Sequence, residues 1–380
     1  MKADRLSWTS ATGWSSPIPD MADAQLVLYW GANEHIASGE RFNQLQAMYP
    51  DAAIMGCSTG GQIFAGDVCD ECVVAMVFWF ERTKIAVVEK GIDENQSSFV
   101  TGAAVGGQLM RPDLKFIFVL SDGIHINGSD LVAGISTSIG RDVIVTGGLA
   151  GDGTRFQETL VGACRAPRPR RIAAIGFYGP AISIGHGSAG GWDEFGPKRR
   201  VSKSKRNVLF TLDEEPALNL YERYLGDEAE GLPGTALLYP LLVANPRDGR
   251  HAVVRTVLGI NRVERSMTFG GNIPEGWSAQ LMRGHFDNLA EGAALAARQA
   301  AAFGRGPNSE AVAIMISCIG RRILMGQSIA DEIAGVEANI GKNVHTIGFY
   351  SYGEIAPHSF SGMCELHNQT MTVTTIAELV

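Results

Sequence analysis

Residues 55–63, MGCSTGGQI, place Gly56, Ser58 and Gly60 in the G-x-S-x-G spacing of a hydrolase nucleophile elbow, directly after an apolar run that reads as a strand. Cys69 and Cys72 follow as a C-x-x-C pair, and Cys364 and His367 form C-x-x-H near the other end of the chain. Two thiols at that spacing suit a redox pair, and the four side chains together suit a tetrahedral zinc ion. GHGSAG at 185–190 matches the dinucleotide G-x-G-x-x-G pattern. None of the eight histidines stands in C-x-x-C-H, so a haem would be noncovalent, with His358 in EIAPHSF and His367 as candidate ligands.

Local context narrows these readings. A nucleophile elbow turns from strand straight into helix, and after Gly60 the chain runs GQIFAGDVCDECVVAMVF, where no helix can start. The stretch therefore reads as a glycine-rich turn needing permissive backbone angles. GHGSAG is followed by GWDEFGPKRR, which cannot be the helix that holds a pyrophosphate, so it too reads as a loop. Cys57, Cys164 and Cys318 read as core. Each member of the Cys69, Cys72, Cys364 and His367 set can equally be a small buried hydrophobe or a hydrogen-bonded structural residue.

The elements that would position these residues alternate between strand and helix, the pattern of an α/β protein. LVLYW at 26–30 precedes a helix carrying Phe42, Leu45 and Tyr49 on one face and stopped by Pro50. FIFVL at 116–120 precedes Leu131, Ile135 and Ile139 at helical spacing, closed by Gly140, and AVAIMIS at 311–317 precedes Ile329, Ile333, Val336 and Ile340, closed by Gly341. IGFYSYGEI at 347–355 aligns without gaps on MGCSTGGQI, pairing Gly56 with Gly348, Gly61 with Gly353 and Gln62 with Glu354, while Tyr350 stands opposite Ser58. VTGGLAGDG at 145–153 is a weaker relative in the same position after FIFVL.

These patterns predict a duplicated module: two similar halves with mixed sheets, the sheets facing each other and the helices on the outer faces. The predicted division is an N-terminal extension over 1–22, one domain over 23–196, a basic connection at 197–207 within GPKRRVSKSKRN, and a second domain over 208–380. A ligand site is expected in a cleft between the halves or at the glycine loops.

Across 380 residues, 32 Lys and Arg against 40 Asp and Glu leave a formal charge of -8, which disfavours nucleic acid and anionic membranes as partners. The N-terminal MKADRLSWTSATGW has no apolar segment like that of a signal peptide, and VVAMVFWF at 73–80 is too short to cross a bilayer as a helix. The expectation is a cytoplasmic protein with reduced cysteines and chance sequons at Asn95, Asn127 and Asn368.

MGCSTGGQI, TGGLAGDG, VLFTLDEEPALNLYERYLG at 208–226, VVRTVLGI at 253–260, GGNIPEGWSAQLMRG at 270–284, and IGFYSYGEIAP with LHNQTMTVT resemble, in this order, the bacterial FIST sensory proteins. The resemblance implies a non-enzymatic sensor of small ligands such as amino acids. The chain is similar in extent to the standalone NosP type, which implies haem b, nitric oxide as signal, and a partner histidine kinase acting on biofilm and cyclic-di-GMP signalling. An amino-acid or metabolite sensor without haem is the alternative, and a hydrolase or thiol/metal enzyme, including a zinc-dependent one, a further one. Within the family-like motifs, Gly56, Gly61, Gln62, Gly148, Asp152, Gly348, Tyr350, Gly353, Glu354, Arg255 and Arg283 are the candidate ligand-loop residues.

Overall fold

The computed structural model describes residues 1–15, 22–93, 95–302 and 310–379. The apolar runs form strands buried on both faces: Leu26–Gly31, Leu114–Ser121 and Ala311–Cys318. Each has a parallel neighbour on one side, Ala53–Ser58, Ile144–Leu149 or Val344–Ser351, reached through the helix that the sequence predicted. Parallel pairing requires such a crossover. Each has an antiparallel neighbour on the other side, Cys72–Trp79, Arg171–Tyr178 or Met371–Glu378. Beyond these lie Lys2–Thr9, Lys84–Gly91 and Ile182–Ala189.

The α/β unit thus occurs three times within the two halves of the chain, and the VTGGLAGDG stretch belongs to a full copy. The copies are tied by short strands that leave one unit for another. Gln62–Phe64 pairs with Val344–Ser351, Val161–Ala163 with Ala53–Ser58, and Gly353–Pro357 with Ile144–Leu149. The exchange runs first to third, second to first and third to second, which closes a ring.

Side-chain alternation along the central strands sorts residues between two layers. Leu26, Leu28, Trp30, Phe116, Phe118, Leu120, Val312, Ile314 and Ile316 meet in one core where the three sheets face each other. Val27 and Tyr29 pack instead under Phe42 and Leu45 of the helix Glu40–Met48. Ile117, Val119, Ala313 and Met315 pack with Val105, Leu131, Ile135, Ile333 and Val336 of outer helices. The expected arrangement, sheets inward and helices outward, is the one observed.

The third unit is interrupted between Ala189 and Phe286 by an eight-stranded sheet with its own core, including Leu209, Leu218, Tyr221, Val243 and Phe269. Here the predicted basic connection at 197–207 is corrected. Trp192–Lys205 is one strand, bonded to Ser278–Gly284 on one side and Val208–Leu212 on the other. Its charged side chains lie exposed while Val201 is buried, so a two-sided strand reads locally as a charged linker. The predicted extension is corrected as well, since Lys2–Thr9 runs in register along Cys72–Trp79. Residues 16–21 of it lie outside the described residues.

The glycine shared by the three repeats has a packing cause. A Cβ on Gly147 would lie 1.9 Å from the carbonyl oxygen of Val119, one on Gly348 2.0 Å from that of Met315, and one on Gly56 2.6 Å from that of Tyr29. Gly147 also adopts φ +150, which side chains rarely tolerate. Gly147→Ala is therefore expected to lower the unfolding free energy by roughly 2 kcal/mol or more in chemical denaturation; an unchanged midpoint would contradict the close-approach argument.

Candidate functional site

The three glycine loops meet where the units converge. The Gly60 amide donates to the Tyr350 carbonyl (2.8 Å), Gly151 to Ser58 (3.0 Å), and Tyr352 to Leu149 (3.2 Å), so Ser58, Leu149 and Tyr350 hold equivalent places. Tyr350 in turn donates to the Gly61 carbonyl at 2.9 Å. Ser58 is fully buried, and its hydroxyl accepts from the Leu160 amide at 2.8 Å. It is a brace, and the elbow reading is set aside on geometry. Gly148 lies against Ile316, and Gly353 against Leu149 and Leu366, so both belong to packing.

The polar members of the loops are mostly committed. Asp152 accepts from the amides of Phe156, Gln157 and Glu158 at 2.8, 2.9 and 3.0 Å and from the Tyr352 hydroxyl. Burial raises its pKa, but these donors outweigh burial and hold the carboxyl below its ordinary range. Gln62 is satisfied when its amide nitrogen donates to the Cys69 and Cys72 carbonyls and its oxygen accepts from Thr59 and the Ala32 amide. Tyr350 is buried with its hydroxyl on Glu332, and burial, with Glu332 next, pushes its pKa up. Arg283 is exposed on the inserted sheet beside the Phe195 ring, away from the loops.

Cys69 and Cys72 are joined as a disulfide, which corrects the expectation that all six cysteines are reduced. Nor does the predicted four-ligand set assemble. The cysteine pair lies by the hairpin on the third unit's sheet, whereas Cys364 and His367 lie on the edge strand of the second unit's sheet. Cys364 donates to the Val145 carbonyl at 3.3 Å, and burial pushes its thiol well up.

Neither histidine proposed as a haem ligand has a free Nε2. Nε2 of His367 faces the Ala356 carbonyl and Nε2 of His358 the Ala252 carbonyl, both at 3.1 Å, so both nitrogens carry protons and donate. Nδ1 of His358 accepts from the Phe360 and Ser361 amides at 3.2 and 3.4 Å. The two rings stack 6.1 Å apart, with His251 4.9 Å from His358. Burial, with the positive Arg255 nearby, lowers the His367 pKa to about 3 and keeps it neutral.

Of the eleven buried side-chain polar atoms without a hydrogen-bond partner among the described residues, three lie together at the seam between the ring and the inserted sheet. Asn368 Nδ2, Gln369 Oε1 and Thr256 Oγ1 are buried without a hydrogen-bond partner among the described residues. The three residues are neighbours: Asn368 Oδ1 receives the Thr256 amide at 3.5 Å, and Gln369 Nε2 donates to the Leu237 carbonyl at 2.9 Å. Arg255 borders them, donating to the carbonyls of Leu366 and Asn272 at 2.9 and 3.1 Å, with its pKa pulled by burial to about 10. Glu354 lies on the other side, fully buried, accepting from Ser351 Oγ (2.7 Å), Thr370 Oγ1 (2.9 Å) and the Thr370 amide (3.1 Å). Burial wins over these bonds and raises its pKa to about 8.

Of this group the sequence singled out Arg255 and Glu354. It passed over Thr256 and Gln369 and treated Asn368 only as a chance sequon. The available signal was HNQT, a polar run placed where apolar strand residues surround it.

The chain is thus a ring of three α/β units carrying an inserted sheet, with a partly unsatisfied polar seam between them. The FIST N domain matches residues 25–215 and the FIST C domain residues 217–357, so the chain belongs to the FIST family, whose domains are signal-transduction sensors that bind small ligands. No curated protein matches it. Among solved structures, cyanuric acid hydrolase from A. caulinodans is aligned over 100% of this chain and 99% of its own at 8% identity and a TM-score of 0.35, too low for any inference. No helix among the described residues is long and apolar enough to cross a membrane.

Glu354 supplies a pH test. A carboxyl raised from 4.5 to about 8 contributes stability as the neutral form, fully below pH 4.5 and progressively less as pH rises to about 8. Melting temperature should fall between pH 5 and 8 more steeply in the wild type than in Glu354→Gln. Parallel profiles would show that the carboxyl is not buried as described.

Proposed function

We propose that the chain is a cytoplasmic sensory module whose ligand is held in the seam by Thr256, Asn368 and Gln369, with Arg255 and Glu354 at its borders. The observation that carries this reading is the trio of buried, unpartnered polar atoms. Leaving each unmade costs about 1–3 kcal/mol, so a ligand that pairs with them recovers stabilisation that the free protein lacks. Asn368 offers a donor, Gln369 an acceptor and Thr256 either, which calls for a ligand presenting both kinds of group. A free amino acid or a similarly amphoteric metabolite meets that requirement.

Sensing follows from the seam's position. A ligand shifts an equilibrium only by its differential affinity for two states, and one that bridges the ring and the inserted sheet favours a particular arrangement of the two. A partner signalling protein, a histidine kinase in the standalone type that the chain resembles, would read that arrangement by contact.

A thermal-shift screen of amino acids and related metabolites tests this. A true ligand at a hundredfold excess over its Kd should raise Tm by roughly 3 °C. The shift should disappear in Asn368→Ala and Thr256→Val. A shift that survives both substitutions, or no stabilising compound at all, would overturn the assignment. A Soret band on haem addition that responds to nitric oxide would favour the gas-sensing version instead.

A further inference from the structure

His251, His358 and Glu365 form a second cluster, beside the ligand seam but sharing no residue with it. They come from three separate pieces of chain: the strand Asp248–Arg255 of the inserted sheet, the turn after Gly353–Pro357, and the edge strand Cys364–His367. One ligating atom from each lies within 4.8 Å of the others. His251 Nε2 and a Glu365 carboxylate oxygen are 2.7 Å apart, and the His251 ring also packs 5.4 Å from Trp277. His358 is buried, whereas the His251 and Glu365 side chains keep 22% and 19% exposure. The cluster is thus largely enclosed but reachable from solvent.

We propose that these three residues bind a divalent transition metal of the zinc type, linking the inserted sheet to the ring. Two imidazoles and a carboxylate are a known donor set for zinc, and they leave a fourth position for water. The separations within the cluster, 2.7 Å between His251 and Glu365 and no more than 4.8 Å overall, bracket the roughly 3.3–3.5 Å spacing between ligands that bonds of about 2.0–2.1 Å impose in a tetrahedron. The close approach of His251 Nε2 to the Glu365 carboxylate already sets a ligating nitrogen beside a ligating oxygen, and a cation would displace any proton held there. Binding therefore releases protons and weakens as pH falls. At His358 the Nδ1 lone pair, which accepts from the Phe360 and Ser361 amides, turns to the metal, while Nε2–H keeps its bond to the Ala252 carbonyl and fixes the ring.

This site differs from the set that the sequence suggested. It uses neither the Cys69–Cys72 pair nor Cys364, and no thiolate takes part. Its position explains why His251 and Glu365 face each other across the junction between the inserted sheet and the second unit's sheet.

The test uses the full chain, stripped with a chelator and then equilibrated with zinc chloride without reductant, with bound metal measured by mass spectrometry. About one zinc per chain is expected. His251→Ala and Glu365→Gln should each weaken zinc binding at least tenfold, while Cys69→Ser/Cys72→Ser leaves it unchanged. His358→Ala also removes a buried ring, so its loss of binding counts only if its circular dichroism and melting match the wild type. Cobalt substitution supplies a second readout, a visible d–d spectrum without a thiolate charge-transfer band. Substoichiometric zinc, binding indifferent to His251→Ala and Glu365→Gln, or binding lost only in the cysteine variant would each overturn the proposal.

Discussion

The structure depends on how closely neighbouring strands approach one glycine in each unit. At Gly56, Gly147 and Gly348 the facing strand's carbonyl occupies the space of a Cβ. That approach sets the chain so that the residues just beyond it reach the axis and bond to the loop of another unit. The exchanged strands Gln62–Phe64, Val161–Ala163 and Gly353–Pro357 then carry each unit's chain into another sheet. A larger residue would displace the strand pair and the loop contacts together. The three inner sheet faces could then no longer share one core.

A buried charge pair fastens the inserted sheet's entry to this ring. Arg321 and Glu332 are both fully buried and bonded at 2.6 Å, and Glu332 also accepts from Ser317 and Tyr350. The same guanidinium donates to the carbonyls of Gly190 and Leu289, where the chain leaves the ring and returns to it. Such a pair adds little net stability over apolar packing, but removing either partner strands the other charge. Its value here is geometric, because it holds the ends of a long insertion beside the last strand of the third unit.

Buried polar groups in this fold differ in how many of their hydrogen bonds folding supplies. Asp152 and Ser58 are buried and fully committed, as is Glu378, which accepts from the amides of Glu81, Arg82 and Thr83 and thereby joins the last strand to the loop between the first two units. Asn368, Gln369 and Thr256 are equally buried yet retain unpaired atoms. Burial alone does not mark a binding site. The difference lies in whether folding has already supplied the hydrogen bonds.

Local pattern was enough for the α/β class, the three strand–helix–strand stretches, the repeated glycine frame and the inward-facing sheets, because periodicity and turn chemistry act over a few residues. It was also enough to reject Ser58 as an elbow, since the missing helix is a local fact. It could not show that the weak repeat at 145–153 is an equal partner, for that equivalence lies in backbone bonds between loops far apart in sequence. Nor could it distinguish the basic strand 192–205 from a linker, because the hydrogen bonds that define it come from residues 208–212 and 278–284. Arg255, Thr256, Glu354, Asn368 and Gln369 all stood inside readable motifs, but that Thr256, Asn368 and Gln369 keep unpaired atoms is decided by tertiary packing. His251, His358 and Glu365 have no common spacing at all, and they meet only because the tertiary fold brings an inserted sheet against the edge of the ring.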